Sequence, residues 1–212
     1  MIWYFFASTN IGIFLTAALI LALTPGPGIM YVMARTLSGG KSDGIASTLG
    51  TATGGLIRVL VAAIGFSALL AASAKAFLVV KLVGAAYLIF LGIRSIINAR
   101  RQSAMPIVQP RGSRHAFLEG ILTEALNVKT ALFFLAFIPQ FVTHTLPTAP
   151  QFIFLGLLCV CLNTTVDLLV VVLASRLSGY RTSAKPAQIM SYGSGAVLLG
   201  LGAYVALSDS RR

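Results

Sequence analysis

Residues Leu21–Val32 read LALTPGPGIMYV and place Pro25, Gly26, Pro27 and Gly28 inside a segment otherwise apolar enough to span a bilayer. Proline has no amide hydrogen, and its ring clashes with the carbonyl one turn back, so this run should end a helix. Inside a membrane, backbone that leaves the helix is tolerated only where protein buries it or where it lines an aqueous cavity. The stretch therefore predicts a membrane helix that is interrupted for a reason.

The composition supports a membrane location. The chain has 212 residues, of which 57% are hydrophobic and only 10% are charged, and its mean hydropathy is +0.90. Soluble domains carry about 25% charged residues, because they need a solvated surface. The net charge of +11 would suggest nucleic acid in a soluble protein. Here the basic residues lie mostly between apolar runs, where they indicate orientation and contact with anionic lipid, so no nucleic-acid partner is expected.

Six apolar stretches divide the chain, each long enough for a membrane helix of about 20 residues. We expect a single transmembrane domain over residues 1–212, with a first three-helix unit at about 11–97, a linker at 98–115 and a second unit at about 116–208. The linker is rich in Arg, Pro and polar residues. The expected spans are Ile11–Ala34, Ile45–Ala72, Ala76–Ile97, Phe117–Val142, Phe152–Ser175 and Ile189–Leu207.

The basic residues predict an orientation. With six spans, connections 1–2, 3–4 and 5–6 share one side of the membrane and hold most of the Lys and Arg residues. The positive-inside rule then places the 98–115 linker in the cytoplasm and both termini outside. The residues on the expected cytoplasmic side are Arg35, Lys41, Arg94, Arg100, Arg101, Arg111, Arg114, Arg176, Arg181 and Lys185.

The second half of the chain partly repeats the first. FLTAALILALTPGPG, from Phe14, aligns with FLEGILTEALNVKTA, from Phe117, and Thr24-Pro25 falls on Asn127-Val128. Three helices is an odd number, so the second unit runs upside down relative to the first. Inverted repeats with interrupted helices at matching places point to the binding site of a secondary transporter. Chance similarity of two Leu- and Ala-rich segments is the alternative.

The proline-glycine run can also serve chemistry. Pro25 and Pro27 suit the first turn of a helix that continues from about Gly28. The start of that half-helix would offer free amides and the positive end of the helix dipole near mid-membrane, where a carboxylate could bind. A simple proline kink is the alternative. We expect Thr24, Pro25, Gly26, Pro27 and Gly28 to border the substrate cavity together with Asn127.

The chain resembles the LysE/RhtB family of amino-acid exporters over nearly its whole length. The resemblance rests on LTPGPGIMYVMARTLSGGKSDGIASTLGTATG, KLVGAAYLIFLGIRS and FLEGILTEALNVKTALFFLAFIPQF. It implies an all-α integral membrane protein of the bacterial inner membrane. It further implies export of amino acids or related small metabolites, driven by the proton gradient, with no cofactor, no metal site and no enzymatic activity.

Three departures from the family pattern bear on the substrate. Gly28 stands where an Asp or Asn usually follows Pro-Gly-Pro. The pair Gly54-Gly55 replaces Gly-Asp and is followed by Arg58, and Val128 replaces the proline of Asn-Pro-Lys. Each lost carboxylate weakens the argument for a cationic substrate. A homoserine-like, threonine-like or other neutral amino acid is therefore expected rather than lysine.

Ionisable residues within the apolar spans are further candidates for substrate binding or coupling. They are Arg58, Glu124, Lys129 and Asp167, and a charge in the bilayer usually faces a partner or a wet cavity. Aligning the halves with a slightly larger offset brings Arg58 opposite Asp167, so we predict an ion pair between them. Glu124 is the competing partner, and the carboxylate of the substrate is the third.

Other functions remain to be weighed. An exporter of a metal cation is the first rival, although the chain has few carboxylates and no His or Cys cluster. An intramembrane enzyme would need a motif such as H-E-x-x-H, which the sequence lacks. A non-transporting membrane scaffold would need neither helix breaks nor intramembrane charges. Small residues such as Gly50–Gly55 permit close helix approach and make a homodimer a weaker expectation than packing within the chain.

Overall fold

The computed structural model describes residues 11–72, 74–99, 109–142, 146–176 and 184–207, and this part of the chain is all-helical. The helices are α1 (Ile11–Leu23), α2 (Pro27–Ala72), α3 (Ala74–Ala99), α4 (Ser113–Ala125), α5 (Val128–Ala136), α6 (Thr148–Arg176) and α7 (Ala184–Leu207), with a 3-10 turn at Ile138–Phe141. The predicted linker lies largely outside the described residues, as do both termini. Helices α4, α6 and α7 each begin several residues before the predicted span.

The predicted break between α1 and α2 is confirmed. Helix α1 ends after Leu23, where the amide of Thr24 still donates to Ile20 O at 3.0 Å. Helix α2 begins at Pro27, and its first hydrogen bond joins the amide of Met30 to Gly26 O. Pro27 thus occupies the first helical position, where a missing amide hydrogen costs nothing.

The connection expected between the first two spans is not a loop but a break of one residue. Helix α2 runs through it and departs from helical geometry only at Gly40, with φ 77° and ψ −170°. Glycine suits that left-handed φ, because a Cβ there would be strained. Asp43, which falls between the first two expected spans, lies buried in α2 and accepts a hydrogen bond from Ser113 Oγ at 2.9 Å.

The polar counterpart predicted at Asn127 is also a helix break. Helix α4 ends at Ala125, and α5 begins at Val128. The two segments, taken through Phe141, are bent by 43°. Asn127 N-caps α5, since its side-chain oxygen accepts from the amide of Lys129 at 3.2 Å. Both predicted interruptions are therefore present, at the aligned positions of the two halves.

Small residues bring neighbouring helices into backbone contact, as predicted for the stretch Gly50–Gly55. A Cβ on Gly54 would lie 2.5 Å from Ile121 O, and one on Gly120 would lie 2.7 Å from Ser47 O. Helix α2 can pack this closely on α4 only because neither residue carries a side chain. Helices α3 and α7 meet in the same way, where a Cβ on Gly92 would lie 2.8 Å from Gly195 O.

Aromatic rings pack together within the core, and most of the large exposed side chains are aliphatic. Phe133 stacks on Phe137 with ring centroids 4.6 Å apart, and Phe14 packs edge-on against Phe141. Large apolar side chains cover the outside, as shown by Ile64, which is 72% exposed. Soluble monomers rarely expose extended apolar surface, whereas lipid accommodates it.

Several helices are suited to crossing a membrane. Three described segments are long and apolar enough, namely Pro27–Gly65, Leu82–Ala99 and Thr148–Arg176. The bent pair Ser113–Ala125 and Val128–Phe141 makes a fourth if it forms one span. Helices Ile11–Leu23 and Gly195–Leu207 are apolar but shorter. The chain is thus a multi-pass membrane protein, and the expected total of six spans stays a prediction.

Candidate functional site

A small cavity lies where the two helix breaks meet. Its volume is about 30 Å³, which is room for about two water molecules. Of the residues predicted to form the site, Pro25 and Pro27 do not line it but create the break beside it. The predicted residues that do line it are Thr24, Gly26, Gly28, Arg58, Glu124, Asn127, Lys129 and Asp167.

The side chain of Lys129 caps the C-terminal end of α1. Its Nζ donates to Thr24 O at 2.7 Å and to Leu21 O at 3.2 Å. The last carbonyls of a helix have no partner within it, and that end carries partial negative charge, so an ammonium group stabilises it. A Cβ on Gly26 would lie 3.0 Å from Nζ. Lys129, in the second half of the chain, therefore stabilises the helix break in the first half.

Glu124 accepts hydrogen bonds from residues in both halves of the chain. Its Oε1 accepts from Arg58 Nη1 at 2.9 Å and from Thr130 Oγ1 at 3.0 Å. Its Oε2 accepts from Asn127 Nδ2 at 2.9 Å. A Cβ on residue 28 would lie 2.7 Å from that same Oε2, so Gly28 leaves room for the carboxylate at the start of α2. A negative charge is favourable there, because the first turn of a helix carries the positive end of the dipole.

The predicted pairing of Arg58 with Asp167 is wrong. Arg58 pairs instead with Glu124, and both side chains are buried. The cause is the close approach of α2 to α4, where a Cβ on Gly54 would lie 3.2 Å from the Cβ of Glu124. Arg58 follows Gly54 by one helical turn, so it lies on the same face of α2. Its guanidinium also lies 5.9 Å from the ring centroid of Phe134.

Asp167 lines the cavity from α6. It is 6% exposed, and its Oδ2 accepts a hydrogen bond from Thr51 Oγ1 at 3.0 Å. An ionised carboxylate has about four sites for accepting hydrogen bonds. Asp167 can therefore receive further donors from the cavity, whereas both oxygens of Glu124 are already engaged.

A second charged cluster lies apart from the cavity, between α2 and the start of α4. Arg35 Nη2 pairs with Glu119 Oε2, and Arg35 Nη1 donates to Gln109 O at 3.1 Å. Tyr31 Oη donates to Ala116 O at 2.8 Å. We had assigned Arg35 to a connection, but it lies within α2 and is only 1% exposed. The ion pair between Arg35 and Glu119 therefore links α2 to α4.

The sequence interpretation missed several polar residues of the site. Thr51 was considered only as part of a small-residue packing stretch, although it binds Asp167. Asn163 and Thr164 line the cavity from α6. The available signal was their position, since polar side chains in an apolar run often face a cavity. Phe134 gave no such signal, because aromatic residues are common throughout this chain.

Known proteins resemble this chain over most of its length. The sequence profile of the LysE type translocator family matches residues 19–209. A homoserine/homoserine lactone efflux protein of Salmonella typhimurium is 28% identical over 91% of this chain and 94% of its own length. A leucine efflux protein of Salmonella choleraesuis is 27% identical over 65% of this chain and 66% of its own.

A further relative has no stated activity. An uncharacterized membrane protein of Vibrio cholerae is 29% identical over 93% of this chain and 96% of its own length. No solved structure matches the chain.

Proposed function

Because the chain belongs to the LysE type translocator family, we propose that it is a secondary active exporter of neutral amino acids or close derivatives. Relatives named for efflux of homoserine, homoserine lactone and leucine support this substrate class. We further propose that the protein lies in the bacterial inner membrane and that protons drive export. Lysine is not the proposed substrate.

The observation that carries the proposal is the charge balance of the cavity. By formal charge, Arg58 and Lys129 contribute two positive charges to the lining of the cavity, and Glu124 and Asp167 contribute two negative ones. A site with no net charge suits a zwitterion, whose own charges sum to zero. A lysine substrate would add a net positive charge to a desolvated space, where an unbalanced charge is costly. The charge balance thus favours a neutral amino acid.

The arrangement of helices supports an inverted-repeat transporter. The breaks at 24–26 and 126–127 occupy aligned positions of the two halves, and each is capped by residues of the second half. We propose six spans, in which α1 joins the start of α2 as one broken span and α4 joins α5 as another. Interrupted helices that meet at mid-membrane are typical of transporter binding sites.

The size of the cavity implies movement. A volume of about 30 Å³ cannot hold an amino acid, which is several times larger than the roughly two water molecules that fit. The cavity must therefore widen to bind its substrate. The contacts between α2 and α4 that involve Arg35 and Glu119 are candidates for breaking when it does. Such alternation between closed and open states is the expected behaviour of a secondary transporter.

Export of a neutral amino acid is tested by intracellular metabolite profiling. Cells that lack the protein should retain one neutral amino acid, and cells that overproduce it should lose that same compound to the medium. Uptake of the compound into inside-out vesicles should then depend on an imposed proton gradient. A response confined to basic amino acids or to divalent cations would contradict the proposal.

The proposed topology is tested by cysteine labelling. Arg101 lies outside the described residues, in the linker proposed to be cytoplasmic. In a background without Cys159 and Cys161, Arg101→Cys in intact cells should resist an impermeant thiol reagent and react once the membrane is opened. Lys75→Cys, exposed in the first turn of α3 at the end proposed to face outward, is the matched control and should react at once. Ready labelling at 101 in intact cells would invert the topology.

A further inference from the structure

Arg58 has one occupied edge and one unoccupied edge. Its Nη1 donates to Glu124, whereas Nε and Nη2 are buried and have no hydrogen-bond partner among the described residues. The side chain is 7% exposed. Buried donors are nearly always paired, since leaving them unpaired forfeits their hydration without replacement. A buried guanidinium with a free edge on a cavity therefore indicates a missing acceptor.

The geometry of the free edge specifies that acceptor. The N–H bonds of Nε and Nη2 lie in one plane and point in nearly the same direction, which forms the side-on fork of a guanidinium. This fork matches the two oxygens of a carboxylate, and the pair forms two parallel, charge-assisted hydrogen bonds. A single hydroxyl or carbonyl oxygen could meet both donors only through bent hydrogen bonds, and it would bring no negative charge to the guanidinium.

In this structure no charged neighbour among the described residues accepts a hydrogen bond from this edge. Lys129 Nζ is held by the carbonyls of Leu21 and Thr24, so it stabilises the broken helix. Both oxygens of Glu124 are engaged by side chains. Asp167 keeps acceptor capacity beyond its bond from Thr51 and lines the same cavity. The cavity therefore contains the unpaired Nε–Nη2 edge of Arg58 and the carboxylate of Asp167, which can accept further hydrogen bonds.

We propose that the Nε–Nη2 edge of Arg58 binds the α-carboxylate of the transported amino acid and that Asp167 receives its α-ammonium group. This inference rests on the proposed export function and narrows its substrate class. The transporter selects compounds that have a free carboxylate, and it rejects amides, esters and lactones of the same amino acids. It therefore differs in range from the relative whose name includes homoserine lactone.

The test is competition for uptake into inside-out vesicles that contain the wild-type protein. Labelled L-homoserine, L-threonine and L-leucine are assayed first, and those that are transported serve as probes. Unlabelled L-homoserine lactone or L-leucinamide should require about a hundredfold higher concentration for half inhibition than the parent amino acid, because two charge-assisted hydrogen bonds are lost. Competition follows only the labelled amino acid, so the flux of the analogues, whose free-base form crosses membranes, need not be measured.

A variant tests the residue itself. Arg58→Gln combined with Glu124→Gln removes both members of the ion pair, so no uncompensated charge remains. This double variant should be present in the membrane, and any residual uptake should no longer discriminate between the amino acid and its amide. Thr53→Ser, on the same helix but not among the residues lining the cavity, is the matched control and should keep wild-type discrimination.

The outcomes separate the two proposals. Equal potency of lactone and amino acid in the wild-type protein would overturn the carboxylate inference and leave the export function standing. The same holds if the double variant still prefers the free amino acid. Transport of none of the labelled amino acids would overturn the export function and the inference together. A hundredfold preference that the double variant loses would support both.

Discussion

Replacing Arg58 alone with leucine is expected to reduce the amount of folded protein in the membrane severely. The substitution leaves Glu124 buried with its charge uncompensated, since the side chain of Glu124 is only 11% exposed. Breaking a buried ion pair by removing one partner costs about 3–5 kcal/mol, which is a large share of the 5–15 kcal/mol that stabilises a typical protein. The measurement is the fraction of monodisperse protein recovered in detergent.

A second substitution identifies the partner of Arg58. Adding Glu124→Leu removes the stranded charge and should restore much of the folded protein, because replacing both members of a buried pair is often nearly neutral. Adding Asp167→Leu should not restore the folded protein, since Asp167 accepts a hydrogen bond from Thr51 and does not pair with Arg58. Arg94→Leu, an exposed position on α3, is the control and should leave the yield unchanged. Recovery with Asp167→Leu would show that the ion pair is formed with α6.

The helix breaks could be predicted because their causes are local. Proline removes its own amide hydrogen, and its ring excludes the helical carbonyl behind it, whatever the rest of the fold does. Asn127 is similar, since asparagine caps a following helix with its own side chain. Alignment of the halves then placed Thr24 beside Asn127 at one site, and both line the same cavity. Local rules therefore located the site.

The pairings within the site could not be predicted, because they depend on how closely the helices pack. Alignment of the two halves favoured Asp167 as the partner of Arg58 and left Glu124 as its competitor. The close contact at Gly54, which decides between them, is a property of two helices together. The expectation that Arg35 lies in a connection failed for a related reason. An arginine near a span end ordinarily indicates a loop, and only the packing of α4 shows it to be buried.

Replacing Pro25 and Pro27 together with alanine is expected to abolish export while the protein remains in the membrane. Alanine restores amide hydrogens at both positions, so α1 can continue into α2 as one helix. In that helix the amide of residue 25 would donate to Leu21 O, and the amide of Gly28 would donate to Thr24 O. These are the carbonyls that now bind Lys129 Nζ. In the continuous helix both carbonyls would be engaged by backbone amides and shielded by the added turn, so they would bind the ammonium group of Lys129 less well.

The displaced ammonium group is the reason that transport should fail. Lys129 would have to leave the break and seek Glu124 or Asp167, the carboxylates that line the same cavity. Either move would occupy the acceptor that Arg58 uses or the one that we propose for the substrate. Export of the transported amino acid should therefore fall to the level of cells without the protein, with an unchanged amount in the membrane by immunoblot. Pro150→Ala, in the exposed first turn of α6, is the matched control and should export normally. Full export by the double variant would show that the Pro-Gly-Pro-Gly run merely bends a packing helix.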